Sequence, residues 1–145
     1  MKIWEITGAI VDAAIQVHTI LGPGLMENVY EICLAHELRE RNLQVQQQVH
    51  LPVRFRGITI EAGYRIDLLV EDSVVVELKA VETVLPVHKA QLLSYLRMSS
   101  KPVGLLLNFN VVHMRNGIQR VLNSYEEDAK LKTVAASHTS QFEKN

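Results

Sequence analysis

Cysteine is almost missing from this 145-residue chain, with Cys33 the only one. A single thiol excludes an internal disulfide framework and suits a reducing compartment, so a cytoplasmic protein is expected. Long apolar runs are missing as well. None approaches the roughly 20 residues that span a bilayer, and no membrane association is expected. The opening stretch MKIWEITGAIVDAAIQVH carries Glu5 and Asp12 within its apolar pattern, and it lacks the unbroken core and cleavage site of a signal peptide. Nor is there an excess of positive charge: 15 Lys and Arg against 16 Asp and Glu leave −1. That counts against a large nucleic-acid footprint but leaves room for a local basic groove. Arg54, Arg56, Lys79, Lys89, Arg97, Lys101, Arg115 and Arg120 are available for one, although any one of them alone is ordinarily a solvated surface charge. The histidines, His18, His36, His50, His88, His113 and His138, show no H-x-x-x-H spacing and no cluster with cysteine, which argues against zinc. His18 precedes a Gly-Pro-Gly break, where it could line a cleft, but a surface or core histidine is the commoner case. P-loop, dinucleotide-binding and nucleophile-elbow motifs are all missing, so no nucleotide cofactor is expected.

The hydrophobic content of 48% and charged content of 21% belong to an ordinary globular chain. The length suits one domain, expected over residues 1–123. A polar tail over 124–145 has room for a short helix before a loose terminus. Ile6, Ile10, Ala13, Ala14, Val17 and Leu21 recur at helical spacing and predict a helix over about 4–20, stopped by Gly22-Pro23-Gly24. A second helix follows to about Asn42, with Glu27 in its first turn. The period then shortens to two. VQQQVHLPVRFRG predicts one strand ending at Gly57, with a short return strand ITIEA. YRIDLLV and SVVVELKA form two more strands around the turn Glu71-Asp72-Ser73. Pro86 opens a third helix. VGLLLNFN predicts an inner strand, and VVHMRNGIQRVLN a hairpin turning at Asn116-Gly117. The order predicts an α/β sandwich around a mixed sheet.

One strand has a fault. In VVVELKA, three valines suited to a buried strand precede Glu77 and Lys79. Alternation puts these two charges on one face and Val76, Leu78 and Ala80 on the other. A tight turn centred on Asp72 sets Asp67 opposite Glu77, and a slip of one residue would move Asp67 to the other face. Two carboxylates about 4 Å apart at an effective dielectric of about 20 repel by about 4 kcal/mol. Either one is protonated, or a cation lies between them. An oxygen-only ligand set points to a hard cation such as Mg2+ or Mn2+. Lys79 reaches the same spot and can stabilise developing negative charge. The plainer alternative is a Glu77–Lys79 ion pair near a sheet edge, with Asp67 capping a turn.

Asp67 followed by Glu77-Leu78-Lys79 resembles the PD-(D/E)XK nuclease superfamily, with Ile66 where proline is common. Gly24-Leu25-Met26-Glu27-Asn28-Val29-Tyr30, together with VHTILGPGLMENVYE, VVVELKAVE, AQLLSYL and GLLLNFNV, is similar to the GxxExxY family within it, over about Ile6 to Asn123. The resemblance implies a restriction-endonuclease-like αβββαβ core, a mixed sheet flanked by helices. It implies a Mg2+- or Mn2+-dependent nuclease that hydrolyses phosphodiester bonds in nucleic acid, with DNA the expected substrate. Asp67 and Glu77 would bind metal, with the Leu78 carbonyl as a further oxygen ligand. Lys79 would assist the attack of water, and Gln91 and Tyr95, one helical turn apart, would contact substrate beside the metal. Glu27 is either a further member of the metal shell or a charge at a helix start. Tyr30 is either a packing or a functional residue. A homodimer is compatible, since many small nucleases cut as dimers.

Two other classes compete. A non-catalytic module on the same fold would hold nucleic acid or protein, which the low net charge favours. A hydrolase of small phosphate esters would need a closed pocket in place of an open groove.

Overall fold

The computed structural model describes residues 1–123, and the tail expected over 124–145, with its short helix, lies outside the described residues. Helices α1 (Ile3–Leu21) and α2 (Glu27–Glu40) come first, followed by β1 (Val45–His50), β2 (Val53–Phe55), β3 (Ile58–Ile60), β4 (Arg65–Val70) and β5 (Val74–Lys79). Helix α3 (Pro86–Ser99), β6 (Val103–Asn108), a 3-10 turn (Met114–Gly117) and β7 (Ile118–Leu122) follow among the described residues. Five strands form one sheet in the order β1-β4-β5-β6-β7, in which only β5 and β6 run parallel. A parallel neighbour needs a crossover, and α3 supplies it. Setting aside the β2–β3 hairpin and β7 leaves helix, β1, β4, β5, α3 and β6. That is the αβββαβ order of a restriction-endonuclease-like core.

Strand alternation fills two cores. Val74, Val76 and Leu78 of β5 join Ile10, Ala14, Tyr30 and Leu34 on the α1–α2 side. Val75 joins Leu92, Tyr95, Leu96 and Leu106 on the α3 side. β6 is buried along its whole length, as an inner strand must be. Gly104 lets α3 approach it, since a Cβ there would lie 2.8 Å from Leu92 Cδ1.

Two sequence expectations are corrected. The strand expected to run unbroken to Gly57 divides at Leu51-Pro52. Leu51 turns inward to the α3-side core, and Pro52 has no N–H to continue a ladder. β2 and β3 therefore pair with each other as a separate two-stranded sheet. The hairpin expected at Asn116-Gly117 does not form either. Phe109 and Met114 are drawn into the α1–α2-side core, and the chain makes a wide turn before β7 returns antiparallel to β6. Burial of two large side chains outweighs the local turn preference. Gly117 packs against the chain leaving β6, where a Cβ would fall 2.0 Å from the Asn108 carbonyl oxygen.

This contact predicts opposite effects at two glycines. Gly117→Ala is expected to destabilise by about 1–3 kcal/mol or more, because backbone cannot retreat from an added methyl. Gly8→Ala, in helix α1 with open space around its Cβ, is expected to stabilise by roughly 0.5–1 kcal/mol. Urea unfolding measures both, and equal midpoints for the two variants would contradict the packing described.

Candidate active site

β4 and β5 keep the register set by the Asp72 turn from Val70↔Val74 to Leu68↔Val76, and there the ladder stops. Beyond it, side chains take over from backbone. The Asp67 N–H donates to Glu77 Oε1 at 3.0 Å, and the Leu78 N–H donates to Asp67 Oδ2 at 2.9 Å. Each acid thus accepts from an amide of the facing strand. β1 departs from regularity at the same level. Gln47 pairs with Leu68 and Val49 with Ile66, while Gln48 between them takes a left-handed φ of 52°. Its Nε2 donates to Asp67 Oδ1 at 3.2 Å and also to the Glu31 carboxylate.

Glu77 is buried at 6% exposure. Burial, and next the negative charge of Asp67, push its carboxyl up to about 9; the Asp67 N–H and the Lys79 ammonium oppose this. At neutral pH and without a cation, Glu77 therefore keeps its proton beside Asp67. Glu77 and Lys79 follow Val75 onto the α3 face, as the alternation of the strand requires. The Tyr95 hydroxyl is also shifted up, first by burial and then by the charges of Glu77 and Asp67, so it lies within electrostatic reach of both acids.

One depression includes Asp67, and a second, on the α3 side, includes Tyr95 but neither acid nor Lys79. A cleft of about 630 Å³ is lined by Glu27, Glu31, Gln48, Asp67, Leu78 and Ala80, with residues 24–26 at its rim. Glu27 crosses from α2 to accept from the Ala80 N–H at 3.2 Å. A groove of about 680 Å³ on the α3 side is lined by Tyr64, His88, Gln91, Ser94 and Tyr95. Gln91 and Tyr95 therefore open into this groove, and Glu27 and Asp67 into the cleft. His18 takes the commoner core role and does not line this cleft. It is buried, its Nε2 hydrogen-bonds the Val111 carbonyl at 2.8 Å, and it borders a separate cavity with His113 and Arg115. Tyr30 is a packing residue. It stacks on Phe109 with centroids 4.5 Å apart, and its hydroxyl donates to the Gly22 carbonyl and accepts from the Leu25 N–H. It thereby holds the glycine loop at the cleft rim.

Sequence reasoning passed over three further residues. Gln48 and Glu31 belong to the hydrogen-bonded surround of Asp67. The signals for them were a glutamine run inside a strand and a second glutamate one helical turn after Glu27. Asn108, buried at the end of β6, braces the chain beyond Lys79: its side chain accepts from the Val81 N–H and donates to the Val81 carbonyl.

The donors are all oxygen, and a hard cation between Asp67 and Glu77 would relieve their repulsion, while Asp67 opens into the α2-side cleft and Glu77 follows Val75 onto the α3 face. Among the described residues no group of three or more His, Cys, Asp or Glu side chains is arranged to hold a metal ion. Backbone oxygen and solvent would have to complete the shell. The family model of the PD-(D/E)XK nuclease superfamily matches residues 4–121, and the chain belongs to that superfamily. No curated protein and no solved structure matches the chain. Among the described residues no helix is long and apolar enough to cross a membrane.

The raised Glu77 pKa predicts a pH dependence of stability. Between the ordinary carboxyl value of 4.5 and about 9, the folded chain holds a proton that the unfolded chain has released. Stability from this group is complete below the lower value and is lost as pH rises toward the upper one. Glu77→Gln imitates the protonated acid and cannot lose it. In chelator at pH 8 it is expected to melt at or above the wild-type temperature, and the advantage should shrink toward pH 5. Mg2+ should then stabilise the wild type more than the variant. Calorimetry across pH checks this; strong destabilisation by Glu77→Gln in chelator would instead make the residue a structural ion-pair partner.

Proposed function

We propose that the protein is a Mg2+- or Mn2+-dependent nuclease of the GxxExxY kind, cytoplasmic, hydrolysing phosphodiester bonds in nucleic acid, DNA before RNA. The observation that carries this reading is the exchange of backbone pairing for carboxylates at Asp67 and Glu77, with one acid buried beside the charge of the other. Asp67, Glu77 and the Leu78 carbonyl would hold the cation, with Glu27 completing the shell from the cleft side. A divalent cation held there supplies Lewis acidity toward phosphate and water. Lys79, on the Glu77 face, stabilises the negative charge that builds on the phosphate oxygens. Gln91 and Tyr95 orient the strand from the α3 groove. An open groove on the α3 side suits a polymer better than a small ester. The lone cysteine supports the reducing compartment.

A second reading keeps the fold and removes the chemistry. The proton on Glu77 and the lack of a third acid arranged with the pair, among the described residues, favour a binding module whose site is idle.

Lys79→Ala separates the two. It keeps every proposed metal ligand and removes the cation near developing charge. Loss of such an electrostatic contact costs roughly 10²–10³ in rate, while one Lys is one phosphate contact among several. The variant is expected to bind DNA within about tenfold of wild type and to cut it at least ~100-fold more slowly. Single-turnover cleavage and anisotropy titration on one substrate measure both quantities. Equal cleavage rates remove Lys79 from the mechanism, and a wild type that cuts no DNA or RNA with Mg2+ or Mn2+ leaves the binding module.

A further inference from the structure

Charge is divided unevenly between the two sides of the sheet. Helices α1 and α2 carry Glu5, Asp12, Glu27, Glu31, Glu37 and Glu40 against Arg39, His18 and His36, with Arg41 at the end of α2 paired to Asp12 and Glu37. Helix α3 carries His88, Lys89 and Arg97 and no acid, and the whole stretch 83–123 contains neither Asp nor Glu. The β2–β3 hairpin, on the α3 side, adds Arg54 and Arg56, again with no acid between residues 53 and 60. Val53 at its root borders the groove with Tyr64, Gln91 and Tyr95. Pro52 and Arg54 share a neighbouring cavity of about 350 Å³ with Arg97 and Met98. The two guanidiniums therefore face one small space beside the groove.

The hairpin is also amphipathic. Cross-strand pairing sets Val53 against Ile60 and Phe55 against Ile58 on one face, with Arg54 against Thr59 on the other. Phe55 and Ile58 are each 57% exposed, and Ile60 43%. Arg56 lies over the Phe55 ring at 5.4 Å. Tyr64, at the groove wall, is 41% exposed and stands 5.9 Å from Tyr95. Arginines beside exposed aromatic rings form the pattern that holds unpaired nucleotides: the charges track the phosphates and the rings accept bases. A duplex offers phosphates but keeps its bases stacked inside, so it would leave Phe55 and its apolar neighbours unused.

We infer that nucleic acid enters from the α3 side, with the β2–β3 hairpin as an arm that grips a single-stranded segment, Arg54 and Arg56 on its phosphates and Phe55 against a base. The strand then lies along the Tyr64–Gln91–Tyr95 groove toward Asp67 and Glu77. The acidic cleft edged by Glu27 and Glu31 receives no nucleic acid. This inference rests on the nuclease reading above for the direction of the strand, but not for the grip itself.

The test uses the full chain in chelator, where cleavage is stopped, with a fluorescein-labelled single strand of DNA and its duplex as probes. Wild type is expected to prefer the single strand. The double variant Arg54→Ala/Arg56→Ala should weaken it at least about tenfold at low salt. The slope of log affinity against log salt should fall by about 1.4, two phosphate contacts at about 0.7 each. Phe55→Ala should weaken single-strand binding about fivefold or more and leave duplex binding within about twofold. Arg115→Ala, on the α1 side, should bind as wild type. All these positions are exposed, and thermal melting confirms that the fold is kept. Variants of the hairpin that bind like wild type, while wild type still cuts DNA with Mg2+, overturn the arm and leave the nuclease reading standing. A wild type that binds and cuts no nucleic acid overturns both. A dimer in sedimentation that Phe55→Ala dissociates would make the apolar face a contact between two copies, and the arm would fall.

Discussion

Everything at the candidate site depends on the crossing of two carboxylates between β4 and β5. A buried antiparallel pair ordinarily satisfies its amides through the ladder. Past Leu68↔Val76 the amides of Asp67 and Leu78 are satisfied by Glu77 and Asp67 instead. The strands can therefore separate without leaving donors unpaired, and the acids are fixed at the point of separation. The cost is a like-charge pair in a poorly solvated place. The protein meets it by protonating Glu77, and a divalent cation would meet it by drawing both acids as anions. The same geometry favours a neutral Glu77 alone and would favour an ionised Glu77 beside a cation.

The surroundings hold that crossing in place. Tyr30 ties the Gly22–Leu25 loop down, so Glu27 begins α2 within reach of the Ala80 amide. Gln48, in its left-handed conformation, joins Glu31 to Asp67. Asn108 fixes Val81 and so limits where the chain carrying Lys79 can go. In the GxxExxY stretch, then, the glycine allows the loop, the glutamate reaches the strand end, and the tyrosine packs; the three act as one positioning unit. Gln91 and Tyr95 line a groove on the far side of the sheet.

Much of this was legible in the chain because alternation along one strand is a short-range signal. The Val-rich run interrupted at Glu77 and Lys79, with a turn at Asp72, carried the register that holds from Val70↔Val74 to Leu68↔Val76, and Asp67 and Glu77 meet just beyond it through side-chain-to-amide hydrogen bonds. The three helices were visible in their periodicity, with their ends at Gly22, Asn42 and Pro86. Features set by distant packing were not legible. Asn116-Gly117 has the local form of a hairpin turn, but Phe109 and Met114 gain more by burial against α1. The division of the strand at Pro52 depends on Leu51 finding the α3 core. The glutamine run in β1 was a weak signal for Gln48, whose role exists only where Glu31 and Asp67 meet it. His18 takes the core role that is commoner for a histidine, because the chain after β6 folds over it.

The most direct test of the central claim is a titration of the Glu77 carboxyl itself, by carbon NMR of selectively labelled protein with and without Mg2+. Without metal, the account predicts a titration near pH 9, well above the ordinary carboxyl range. With saturating Mg2+ the same carboxyl should titrate below neutrality, because the cation favours its anion. An ordinary carboxyl titration in chelator, or a raised one that Mg2+ leaves unchanged, would contradict the claim that this crossing of acids is a cation site.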